Sequence, residues 1–352
     1  MRQSPSAAPA PASGGRAGLL PGLDLVKPVL ALLVIWIHTA PLGHLAPHVD
    51  VYVTIVLGRL AVPLYLAISG YLLFRRERPP VRRQLTRLAQ LYLIWCLLYL
   101  PVIVRDRPAP LTATALVRLV LTGGDTHLWY LPACAVGIAV VACGLRRWSA
   151  TTLAVVLLAV YLLGIVLYCA LDAGLLPTTG MAGLPARCLE LLDVVAMAPR
   201  DGLFTGSAFV AVGAWIGREG GWRVRPALAL AVLAMGGMLV EGVLRRALHL
   251  GADLSLPVST SYLCLAVFVP AVMSLLVAWR PSQRVRGQIL ARNTGSLMYF
   301  IHYAVIALLG YSLESSAGVR GFLAVTVISG ALAVALVRLS AHPRLRFLAR
   351  LY

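Results

Sequence analysis

The chain has 352 residues, 60% of them hydrophobic and only 12% charged, with a mean hydropathy of +0.85. A soluble domain carries roughly twice that charged fraction, so the composition excludes an ordinary water-soluble enzyme. The net charge of +18 is dispersed over separate loops with no aromatic stacking platform, which argues against nucleic-acid binding and for contact with anionic lipid headgroups.

Residues 1–20, MRQSPSAAPAPASGGRAGLL, are rich in Pro, Ala, Ser and Gly and lack the apolar core of a signal peptide. They are expected to form a disordered, uncleaved cytoplasmic tail. Residues 21–341 make up the membrane body and 342–352 a basic cytoplasmic tail. Spans of roughly 20 apolar residues, the length that crosses a ~30 Å hydrocarbon core, recur at about 22–43, 51–74, 86–104, 127–145, 151–171, 202–217, 226–244, 258–279, 295–313 and 321–340. Each is expected to be a helix, because backbone in lipid must satisfy its own hydrogen bonds. The fold class is all-α, a polytopic integral membrane bundle of about ten transmembrane helices. Twenty arginines fall on one side of this arrangement and eight on the other. The positive-inside bias then puts both termini in the cytoplasm, in a bacterial cytoplasmic membrane.

The first span holds DLVKPVLALLVIWIH, Asp24 to His38, in which Lys27 is the only lysine of the chain. A GC-rich codon bias explains why lysine is scarce. Eleven residues separate Lys27 from His38, close to three helical turns with a drift of about 20°. Asp24 projects within about 40° of His38, so one stripe carries all three polar groups. Lys27 is expected near the cytoplasmic mouth and His38 about 16 Å further across. Pro28 is tolerated in or near the first turn. Taken singly, Lys27 reads as a snorkelling lysine and His38 as a hydrogen-bonded core histidine. Sharing a stripe within the apolar thickness favours a cavity or a partner for both. Asp24 is expected to pair with Lys27.

The second span ends AVPLYLAISGYLLFRR. Ser69 and Gly70 suit close helix packing, and Arg75 and Arg76 obey positive-inside sorting. HLWYLPA, at 127–133, puts His127 and Trp129 at the outer interface, where aromatic residues gather and where His127 would meet an outer acceptor. PRDGLFTG, at 199–206, opens the sixth span with Arg200 and Asp201, either an ion pair or an acceptor mouth. SLMYFIHY, at 296–303, carries Tyr299, His302 and Tyr303, with His302 about 12 Å from the start of its span. A hydrogen bond to a neighbouring helix is the first reading of His302, a direct catalytic part the second. The six cysteines form no CxxC pair and mostly lie in apolar spans. No metal site or disulfide framework is expected, and an outer pair of Cys169 with Cys188 is left open.

Taken in order, these elements resemble the membrane acyltransferase-3 family, in which an Asp and then an Arg precede a His on the first helix, the Arg eleven positions before it. The SGY, HLWYL, RNGLFFG and YLIH elements of that family are matched by AVPLYLAISGYLLFRR, HLWYLPA, PRDGLFTG and SLMYFIHY. The series is most similar to the small-chain branch related to the membrane portion of vancomycin-resistance serine racemases. It departs from that branch in having Lys27 for Arg and Asp201 for the usual Asn. The resemblance implies transfer of an acyl group, commonly acetyl, from cytoplasmic acyl-CoA to a hydroxyl or amine of a sugar, cell-envelope polymer or natural product. His38 would then be the catalytic base or acyl carrier, supported by Lys27 and Asp24. Lys27, Arg75, Arg76, Ser69 and Tyr71 would bind the donor. His127, Trp129, Arg200, Asp201, Tyr299 and His302 would face the acceptor, and no metal would take part. No racemase activity is expected. A transporter or flippase would also suit buried Lys, His and Asp, although the two halves show no repeat. A non-catalytic sensor or scaffold for cell-wall assembly is a third reading.

Overall fold

A computed structural model describes residues 20–105, 127–175, 183–184, 187–188, 202–248, 261–281, 285–311 and 317–352. The described residues form helices and no strand. The N-terminal tail over 1–19 lies outside them, as do Arg200 and Asp201.

Helix α1 (Pro21–Thr39) opens on a proline whose missing N–H would be unpaired there in any case, and it ends at a left-handed Ala40 whose N–H returns to the Trp36 carbonyl. The second span is built in three pieces: α2 (Pro47–Val56), a 3₁₀ turn (Gly58–Leu60) and α3 (Ala61–Phe74). Helix α4 (Val81–Arg105) follows. A 3₁₀ turn (His127–Trp129) leads into α5 (Tyr130–Gly144), and α6 is Ala150–Asp172. A π turn (Gly202–Gly206) leads into α7 (Ser207–Glu219), succeeded by α8 (Val224–Ala247) and α9 (Leu265–Ala278). The chain closes with α10 (Gln288–Leu308), α11 (Gly318–Leu339) and a 3₁₀ segment (Pro343–Leu351).

Among the described residues, seven helical stretches are long and apolar enough to cross a membrane: 21–39, 47–74, 81–102, 127–144, 150–167, 224–247 and 318–339. The chain is thus a multi-pass helical membrane protein. The other three expected spans are helical but of a different kind. Helices α7 and α9 are short, at 13 and 14 residues. Helix α10 has 21 residues yet does not reach the apolarity of the seven. The reason is their surroundings. Helix α7 is buried almost throughout and α10 along most of its length, whereas α11 buries only Gly321, Val325, Ser329 and Ala333. A helix walled by protein can carry polar side chains that lipid would exclude.

Two close pairings set the frame of the bundle: α3 against α7 and α1 against α10. A Cβ at Gly213 would overlap the Ala67 carbonyl, and one at Gly70 the Val210 carbonyl. Likewise Gly295 of α10 rests on the backbone at Lys27 and Pro28. Small residues at such positions let membrane helices approach to backbone contact. At Gly295 the effect is to press the polar stripe of α1 against α10.

Candidate active site

A cavity of about 560 Å³ opens where the first turns of α1 and α10 meet the end of α3 and the start of α4. Among the described residues, five cationic side chains line it, Lys27, Arg75, Arg76, Arg87 and Arg292, and no acidic side chain does. Its inner end is a layer of hydroxyls. The Tyr65 hydroxyl donates to the Lys27 carbonyl (2.8 Å). The Ser69 hydroxyl donates to the Tyr65 carbonyl (2.9 Å) and lies 3.0 Å from the Tyr130 hydroxyl. Tyr299 completes this layer, its ring 5.5 Å from that of Tyr65 and 5.6 Å from that of Tyr130. At the opposite end the C-terminal segment folds over α4. Arg87 donates to the Tyr352 carbonyl (2.8 Å) and the Trp95 indole to the Leu351 carbonyl (3.1 Å), so that Tyr352 and Ala349 join the wall.

Asp24 is held differently from the pairing with Lys27 that spacing predicts. Its carboxylate accepts from the Gln288 amide (2.6 Å) and lies 4.0 Å from the Arg292 guanidinium. The cause is the Gly295 contact, which brings the first turn of α10 against that of α1. Asp24 is buried there, while the Lys27 side chain faces the cavity.

Three turns along α1, His38 belongs to a second group. Its ring centroid is 5.3 Å from His302 and 6.2 Å from Tyr303. His127 lies 4.9 Å from His302 and 5.3 Å from each of Tyr99, Tyr299 and Tyr303. His127 is therefore not an exposed belt residue, as its place ahead of an apolar span suggests, but is packed inside the protein, 4% exposed. The Tyr299 hydroxyl donates to its carbonyl (2.7 Å) and draws the 3₁₀ turn inward. The backbone of Phe300 lies close to the His127 ring. Among the described residues no group of His, Cys, Asp and Glu is arranged to hold a metal ion.

His302 is fully buried and held by a hydrogen bond of 2.7 Å between its Nδ1 and the Tyr299 carbonyl. A carbonyl can only accept, so Nδ1 carries the hydrogen, and in the neutral ring Nε2 presents a lone pair. Among the described residues that Nε2 has no hydrogen-bond partner. Beside it, the Tyr99 hydroxyl donates to the Phe300 carbonyl (2.5 Å) and accepts from the Ala304 N–H (3.0 Å). Those two groups are the ones a single i,i+4 helical bond would join.

Of the predicted donor residues, Lys27, Ser69, Arg75 and Arg76 line the cavity, whereas Tyr71 is buried behind it under the Arg75 guanidinium, 5.7 Å from its ring centre. Of the predicted acceptor residues, His127, His302 and Tyr299 come together around His38, and Trp129 lies half-buried in the turn of His127. Arg87, Arg292, Gln288, Tyr65, Tyr99 and Tyr130 were not singled out by sequence. A signal existed on two helices: Arg87, Leu91, Trp95 and Tyr99 recur every four residues on α4, and Gln288, Arg292 and Ser296 do so on α10. Arg59 was visible as an intramembrane arginine, and its charge acts on His38 from the 3₁₀ turn within the second span.

A family model described as an acyltransferase domain matches residues 20–338. A serine/alanine racemase of Enterococcus gallinarum is 28% identical over 275 residues, which is 74% of this chain and 37% of that protein. An amino-acid racemase of Enterococcus faecalis is 32% identical over 136 residues, 36% of this chain and 19% of that protein. The matched region thus spans well under half the length of either relative. No solved structure matches.

Proposed function

Because the chain belongs to the acyltransferase family whose domain model covers residues 20–338, we propose that it moves an acyl group, acetyl in the first instance, from cytoplasmic acyl-CoA to a hydroxyl or amine of a sugar, cell-envelope component or natural product. The observation that carries this reading is the convergence of five cationic side chains on one cavity of about 560 Å³, with Asp24 beside Arg292 the one carboxylate near them among the described residues. The nucleotide end of acyl-CoA is rich in phosphate. Guanidinium groups grip phosphate in bidentate fashion, and Lys27 adds a point charge. With the nucleotide among Arg75, Arg76 and Arg87, the extended pantetheine arm points inward toward Lys27, Ser69 and the tyrosine layer. His38 stands about 16 Å beyond Lys27 along α1, a span that the arm can cover. A neutral imidazole there serves as base toward the acceptor or as transient acyl carrier. His127 and Tyr299 would border the acceptor. The racemase names belong to the relatives, each of which extends far past the shared region.

The test is release of CoA thiol from acetyl-CoA by purified protein in detergent, with a panel of sugar and amine acceptors. The wild type is expected to turn over, with His38→Ala reduced by about 10²-fold or more and Lys27→Ala raised in KM. Unchanged turnover in His38→Ala would remove that residue from the chemistry. An intact thioester with every acceptor would move the reading to a transporter or flippase.

A further inference from the structure

The imidazole beside His38 has a defined hydrogen and a defined lone pair. His302 donates from Nδ1 to the Tyr299 carbonyl at 2.7 Å, so its Nε2 is the unprotonated nitrogen. That nitrogen is buried and without a partner in a fully enclosed side chain. A buried polar atom with no partner costs about 1–3 kcal/mol, so its retention calls for a use. The ring lies beside that of His38, with centroids 5.3 Å apart and planes inclined by 32°; no hydrogen bond joins the two rings, so a relay between them requires them to close on one another when substrate binds. The Tyr99 hydroxyl bridges the backbone on either side of His302 and fixes where the ring stands.

We propose that His302 is the relay partner of His38, its Nε2 taking the second ring proton of His38 as His38 removes the proton of the acceptor hydroxyl. The proposal rests on the acyltransferase reading and deepens it. In the forward step the acceptor O–H bond breaks, its oxygen bonds to the thioester carbonyl carbon, and its proton goes to the bare nitrogen of His38. The hydrogen on the other His38 nitrogen passes to His302 Nε2. His38 stays neutral, and the positive charge rests on His302, whose Nδ1–H remains on the Tyr299 carbonyl. When the tetrahedral adduct collapses, the C–S bond breaks and CoA leaves with the electron pair. His38 gives the departing sulfur its proton, and His302 returns its own to His38. The products are ester and CoA thiol, with both imidazoles restored. His302 acts through His38 and is a positioning and relay residue.

The discriminating variant is His302→Asn, whose side-chain amide can keep the hydrogen bond to the Tyr299 carbonyl but supplies no basic nitrogen at the Nε2 position. Expected is a fall in kcat of about 10²-fold with the KM for acetyl-CoA and the melting temperature retained. The rate as a function of deuterium fraction in the solvent is expected to curve in the wild type, for two protons in motion, and to become linear in His302→Asn. Equal kcat in His302→Asn, or a linear wild-type dependence, would overturn the relay while leaving the acyltransferase standing. A second readout needs no turnover: ¹⁵N spectra of histidine-labelled protein, with His302 assigned by its loss in the variant, are expected to show a neutral ring protonated at Nδ1. A ring protonated at Nε2 overturns the relay by itself. Absence of acyl transfer by the wild type overturns the underlying reading, and the relay with it.

Discussion

Tyr99 shows how much one hydroxyl can arrange. It stands between the Phe300 carbonyl and the Ala304 N–H, a pair that straddles His302. Removing it lets those groups bond directly, which limits the loss of stability while shifting the imidazole. Tyr99→Phe is therefore expected to change unfolding free energy by less than about 1 kcal/mol yet lower turnover at least tenfold, measured as melting in detergent beside CoA release. Arg292 separates charge from geometry in another way. It lines the cavity and lies near Asp24, so Arg292→Ala is expected to raise the KM for acyl-CoA several-fold with kcat nearly kept, and Arg292→Lys to recover part of the loss. The spacing of Asp24, Lys27 and His38 was legible because helical periodicity is local. The inward position of His127 was not, because the hydroxyl that draws it in belongs to Tyr299, 172 residues away in sequence. The same holds for Asp24, whose partner Gln288 is 264 residues distant.

At the level of helices, glycine marks where backbone touches backbone. Gly213 of α7 faces the Ala67 carbonyl with no room for a methyl group, whereas Gly236 of α8 has open space around it. Gly213→Ala is expected to cost about 1–3 kcal/mol or more by overpacking. Gly236→Ala is expected to be neutral or to add about 0.5–1 kcal/mol through helix propensity, and thermal unfolding of the two variants side by side checks both. Apolar runs revealed the positions of nearly all the helices, since a 20-residue hydrophobic stretch has few other uses. They were a poorer guide to what surrounds each helix. Helix α10 and the largely exposed α11 both read as spans, yet α10 is walled by protein and holds the polar residues of the site. The break in the second span at Gly58–Leu60 was also hidden, because the turn there continues the same apolar run through Arg59.

Across the molecule, a cation-lined cavity and a buried imidazole group are stacked along α1 and α10, divided by Tyr65, Tyr130 and Tyr299. On the proposed reading, five cations at one opening would make donor binding sensitive to screening. The KM for acyl-CoA is expected to rise several-fold between roughly 50 and 300 mM salt, with kcat steady, in the CoA-release assay; a salt-independent KM would remove the cations from donor capture. The bond between Asp24 and Gln288 also sets a timetable for biogenesis. At about 5–20 residues per second of synthesis, the 264 positions between them take roughly 13–53 s to translate. During that interval a newborn first helix must shelter its carboxylate with water, headgroups or the insertion machinery. Helix α10, less apolar than the seven spanning stretches, then arrives to find partners already made: Asp24 of α1, Tyr99 of α4 and the turn of His127.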